Sequence, residues 1–119
     1  MNNAQEIVDE LLSSTDGALV TAIVDDSGML LASAGSGVDM ELAAAGNSEV
    51  VRAKLRTMKS LNLNDEIEDI LITLGKQYHV IRPTAKYEGM FIYTVLDKSR
   101  GNLALARRQV KQAEAKLQV

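Results

Sequence analysis

The chain has 119 residues, a formal net charge of −3, and 46% hydrophobic and 24% charged residues. That balance is ordinary for one globular domain spanning 1–119, and the mild acidity argues against nucleic-acid or membrane-surface binding. There is no cysteine, so disulfides and thiolate metal sites are excluded.

The N-terminus, MNNAQEIVDELL, carries acids instead of the basic start of a signal peptide. No apolar run approaches the roughly 20 residues of a membrane span. A cytoplasmic protein is expected. Aromatic residues make up only 3%, so the core must be mostly aliphatic.

Asn2 or Asn3 is placed to cap a first helix, and Glu6 after Asn3 resembles a capping box. Ile7, Val8, Leu11 and Leu12 give that helix one apolar stripe. Ser13 to Gly17 end it. Ala18 to Ala34 then reads as a β-hairpin. Two apolar runs flank Asp25-Asp26-Ser27-Gly28, whose side chains and glycine favour a turn. Neither run alternates, so both strands are expected to be covered on both faces.

Asp39 is a good N-cap for a long helix, Met40 to Ser60. Its apolar residues, among them Leu42, Val50, Val51, Leu55, Met58 and Leu61, spread over roughly 200°, against the ~100° of a one-sided helix. One sheet face cannot hide that arc. The surplus fits a second copy of the protein, with Val51, Leu55 and Met58 as interface and Arg52, Arg56 and Lys59 as its charged rim. The competing explanation is that the extra alanines are simply good helix formers.

Ile67 to Leu74 reads as a third strand. Gly75-Lys76 turns into a fourth, Gln77 to Arg82, stopped by Pro83. Gly89 to Leu96 is a fifth, almost wholly apolar and therefore expected in the centre. Asp97 or Ser99 is placed to cap a last helix bearing Leu103, Ala106, Val110, Ala113 and Leu117 on one face. The order α-β-β-α-β-β-β-α with short connections predicts an α/β sandwich, a five-stranded antiparallel sheet with helices on both faces.

Catalytic signals are poor. His79 is the only histidine, lies inside a strand and has no acid placed beside it; a core or cross-strand role is favoured. No catalytic, cofactor-binding or metal-ligating residues are expected. Gly75-Lys76-Gln77 lacks the hydroxyl and upstream glycine of a phosphate loop. Gly35-Ser36-Gly37 precedes a helix start, where amides can hold an anion; this leaves open a small-ligand sensor with a pocket near Gly35 to Gly37. Asp65, Glu66, Glu68 and Asp69 read better as guards on a sheet edge than as acid–base catalysts.

Two segments carry a family resemblance. Val24-Asp25-Asp26-Ser27-Gly28-Met29-Leu30-Leu31-Ala32-Ser33 resembles the "VDxxGLxxAS" signature of the roadblock (dynein light chain) domain family, and Gly101-Asn102-Leu103-Ala104-Leu105-Ala106-Arg107 resembles its "aNLglaR" helix start. The element order agrees with the MglB-like bacterial and archaeal branch. The resemblance implies a non-enzymatic dimer in which second helices pack together and third strands pair at an edge, here through Ile70 and Ile72. It also implies a small Ras-like GTPase as partner, activated or scaffolded, in motility, polarity or dynein-like transport. Glu68 and Asp69 are unexpectedly acidic for such a pairing edge.

Overall fold

The computed structural model describes residues 2–119. It contains α1 (Ala4–Ser14), β1 (Ala18–Val24), β2 (Leu30–Gly35), α2 (Met40–Ser60), β3 (Ile70–Thr73), β4 (Gln77–Pro83), β5 (Phe91–Asp97) and α3 (Leu103–Lys116). The strands form one sheet in the order β2-β1-β5-β4-β3, every neighbour antiparallel. The expected α/β sandwich is therefore the observed one.

β1 and β5 lie inside the sheet, and their two-sided apolar sequence follows from that. Ile23 and Ile92 point to one face, where Val8 and Leu11 of α1 and Val110 of α3 cover them. Val20, Val24, Phe91, Tyr93 and Val95 point to the other, beneath Ala44 and Val51 of α2. β2 departs from expectation. It is an edge strand, Met29 and Leu31 are exposed, and a bulge interrupts its pairing near Val24.

The hairpin turn forms as its residue types demand. Asp25 Oδ1 accepts from the Ser27 amide at 2.9 Å, the Ser27 hydroxyl at 2.7 Å and the Met29 amide at 3.0 Å. Gly28 takes a φ of +85°, open to glycine without steric cost. The Ser27 hydroxyl, then the Met29 amide, hold the Asp25 carboxyl below its ordinary 3.8. Asp25→Ala should therefore cost about 1 kcal/mol in a urea titration at neutral pH. This stabilisation is complete above the ordinary value and is lost as pH falls through the lower folded value, so the two proteins should converge in strong acid.

Helix ends follow local chemistry with two departures. Asp39 caps α2 by accepting from the Leu42 amide. Asn3 makes no side-chain cap on α1; Asn2 Oδ1 accepts from Ala4 instead, while Asn3 ties to Lys116 and Gln118. α3 is capped by Asn102, which accepts from Leu105, not by Asp97 or Ser99. Asp97 is already committed to the Ser99 amide and hydroxyl and to Arg100.

Candidate interaction surface

The sheet has two edges, and they are built differently. β2 carries the bulge, and Gln5 of α1 donates to its Ser33 carbonyl at 3.0 Å. A bulge and a side chain occupying a carbonyl both blunt an edge. β3 has neither. Its four residues pair in unbroken register with β4, Ile70 opposite Ile81 through Thr73 opposite Tyr78. The other side of β3 has no strand beside it.

Many of the exposed apolar side chains come from the stretch of chain that runs from α2 to the end of β3, with Met29, Leu31 and Val119 elsewhere. Leu42, Val50, Leu55, Leu61, Leu63, Leu71 and Leu74 are exposed and all come from α2, the link after it, or β3 and its end. Exposed apolar side chains on neighbouring segments make a candidate interaction surface, whereas single exposed leucines do not. Ile70 and Ile72 are half-buried beside α2's layer.

α2 divides the residues that its overwide arc singled out. Val51 (3% exposed) and Met58 (8%) are covered by the protomer's own fold. Leu55 (44%) is not, and Arg52, Arg56 and Lys59 surround it in solvent. On the Leu55 side the outward surface of this helix is therefore Leu55 itself, while the exposed Val50 lies on the other flank of the buried stripe. Leu63 escaped sequence reading because it lies beyond the periodic stretch.

Below Leu55 runs a groove of about 510 Å³, lined among others by Ile67, Pro83, Ala85 and Glu88. One end is fixed by Glu114 of α3, which accepts from Arg82 Nε and from the Ala85 amide.

The acids before β3 do not all guard the edge. Asp69 is engaged by Arg107, Nε to Oδ2 at 2.8 Å and Nη2 to Oδ1 at 3.1 Å. This pair raises the Arg107 guanidinium above its ordinary range. Only Asp65, Glu66 and Glu68 remain fully exposed. An edge that looks doubly acidic in sequence has one of its nearest charges neutralised.

His79 is a cross-strand residue, as its position suggested. Its Nδ1 lies 2.6 Å from the Tyr93 hydroxyl and its Nε2 2.9 Å from Gln77 Oε1. Gly35 to Gly37 form no cradle. A Cβ at Gly35 would sit 2.1 Å from the Leu19 carbonyl oxygen, and Gly37 faces open space. The Ser36 amide already donates to the Leu19 carbonyl, which removes that amide from an anion site there.

The Roadblock/LC7 domain family matches residues 4–96, from the start of α1 to the last core residue of β5. The chain belongs to this family. Curated protein sequences give no match. Among solved structures, this roadblock chain is similar to MglB of Myxococcus xanthus at 19% identity, covering 94% of this chain and 85% of that one with a TM-score of 0.75. The gliding protein mglB of Thermus thermophilus gives 18% identity, coverage of 92% and 81%, and a TM-score of 0.77. A Roadblock/LC7 domain from Streptomyces avermitilis gives 9%, coverage of 93% and 91%, and 0.76. At such identities the likeness establishes the roadblock fold. Among the described residues, no helix is long and apolar enough to cross a membrane.

Proposed function

We propose that this roadblock protein is a non-enzymatic homodimeric platform that binds and regulates a small Ras-like GTPase, as activator or scaffold, in motility or polarity. The carrying observation is the unblunted β3 edge with exposed Leu55 and half-buried Ile70 and Ile72 beside it. A regular free edge is a template for another strand, and a matching edge on a second copy satisfies it symmetrically. Arg52, Arg56 and Lys59 then form the rim. The likeness to MglB of Myxococcus and to a protein named for gliding in Thermus supports the GTPase-linked reading, and a further likeness to a solved MglB "with tetrameric arrangement" supports self-association.

Two measurements test it. Light scattering at micromolar concentration should give the mass of a dimer; a monomer overturns self-pairing. A Ras-like GTPase from the same organism, loaded with GTP or GDP, should bind with a preference for one state. Faster hydrolysis on binding identifies an activator, and binding at unchanged rate a scaffold. Failure of both nucleotide forms to bind overturns the GTPase assignment.

A further inference from the structure

On the face of the sheet under α2, next to the β3 edge, one polar thread crosses apolar surroundings. His79 stands one strand in from the free edge, directly opposite Ile72 on β3 and Val95 on β5. As the Gln77 amide is oriented, its oxygen only accepts, so Nε2 of His79 carries the proton and Nδ1 accepts from the Tyr93 hydroxyl. The rings meet edge to face, 5.5 Å between centroids. Both ring nitrogens are therefore used.

The groups around it offer no free counter-charge: the one nearby carboxylate, Asp97 opposite Gln77, is committed to Ser99 and Arg100. β3 presents Ile70 and Ile72, and β5 presents Tyr93 and Val95. β4 contributes Gln77 and Ile81. From α2, Asn47 lies against the Tyr93 hydroxyl. Apart from Asp97, Tyr93 is the one titratable group in this set, and burial pushes its ionisation further up. Burial alone already holds His79 below its ordinary 6.5.

We propose that protonation of His79 opposes self-association, making the dimer a pH-gated assembly that loosens as pH falls from about 7 to about 5.5. This rests on the proposed pairing through α2 and β3. A second copy laid over this face withdraws water from a half-buried ring. Either form can keep both hydrogen bonds, since the Tyr93 hydroxyl accepts as well as donates, but the imidazolium carries a charge without a free carboxylate partner into an apolar seam. The proposed rim charges of the second α2, Arg52, Arg56 and Lys59, repel it, although the same helix also carries the exposed acids Glu41 and Glu49. The dimer therefore binds fewer protons than two free chains, and acid favours the free chains.

The test is sedimentation of the untagged protein between about pH 7.5 and about pH 5.5, beside His79→Gln. The dissociation constant of the wild type should rise roughly tenfold or more across that range, and that of His79→Gln should stay flat. A dimer whose affinity ignores pH overturns the gate while leaving the pairing intact. An equal response in His79→Gln also overturns it. A monomer at every pH overturns the pairing and the gate with it. Since the chain has one histidine, proton NMR follows its ring without ambiguity even if His79→Gln folds poorly. Its titration midpoint should lie lower in the wild-type dimer than in Leu55→Glu; equal midpoints overturn the proposal.

Discussion

Gly17→Ala is expected to lower the melting temperature by about 10–20 °C, a large loss for a single added methyl group. Gly17 joins α1 to β1 at a φ of +77°. An L-residue there costs about 1–2 kcal/mol from its own Cβ. The surroundings add more. The new Cβ would lie 2.5 Å from the Gly101 nitrogen, 2.6 Å from its Cα and 2.8 Å from the Arg100 carbonyl carbon. All three are backbone atoms, so no rotamer change relieves the contact. Nor can that backbone move freely: Asp97 donates to the Gly17 carbonyl, and Gly101 donates to the Asp97 carbonyl, each at 2.8 Å. Separating the two segments breaks the tie between the start of β1 and the end of β5. Strain and clash together come to roughly 3–4 kcal/mol, in the range of severe substitutions.

Two controls separate these causes. Gly37→Ala meets nothing within 4 Å but shares a positive φ of +103°, so it should lose only the strain component. Gly75→Ala meets nothing and has no positive φ; it should be neutral or slightly stabilising. Thermal melts followed by circular dichroism rank all three. A Gly17→Ala melt within a few degrees of Gly37→Ala would refute the backbone crossing as the cause.

Local chemistry was legible in the sequence wherever one residue decides the outcome. Asp39 sets the start of α2, Asp25 and Gly28 set the hairpin turn, and the unbroken apolar run after Gly89 marks β5 as central. What failed depends on residues far apart in the chain. β3 begins at Ile70 instead of Ile67 because its would-be partners are occupied: Arg82 donates to the Glu68 carbonyl, Pro83 has no amide to give, and Asp69 turns to Arg107. β2 reads as doubly covered because its apolar residues do not say that Leu31 falls beside a bulge. Asp97 looks like a cap because nothing in its own neighbourhood announces that Asn102 takes that role. The candidate surface shows the same limit. A helical wheel finds the overwide arc of α2 but cannot tell that Val51 and Met58 are covered by the protomer's own fold while Leu55 is not. Edge asymmetry was invisible as well, since it depends on Gln5 meeting Ser33 from 28 positions away.

Leu55→Glu is expected to convert the proposed dimer to monomer at concentrations where the wild type should be fully paired. Leu55 is exposed in the lone chain, so the substitution leaves the core untouched and the melting temperature of the separated subunit nearly unchanged. In a two-fold assembly the same residue acts from both sides. An apolar anchor at the centre of an interface is worth about 2 kcal/mol. Two of them, replaced by carboxylates that must be desolvated, amount to about 4 kcal/mol, or roughly a thousandfold in dissociation constant. The nearby cations Arg52 and Arg56 reduce that penalty if they reach the new carboxylates, so a loss nearer a hundredfold would indicate such rescue, and high salt should then deepen it. Val119→Glu supplies the comparison. Val119 is likewise exposed but lies at the C-terminal end, where the chain meets Asn3 before α1, away from β3. It should leave the dimer intact. Sedimentation velocity at graded concentration distinguishes the two variants, and equal association by both would remove Leu55 from the interface. Because the proposed GTPase platform spans both copies, Leu55→Glu should also abolish any stimulation of the partner, even though Leu55 need not touch nucleotide or GTPase.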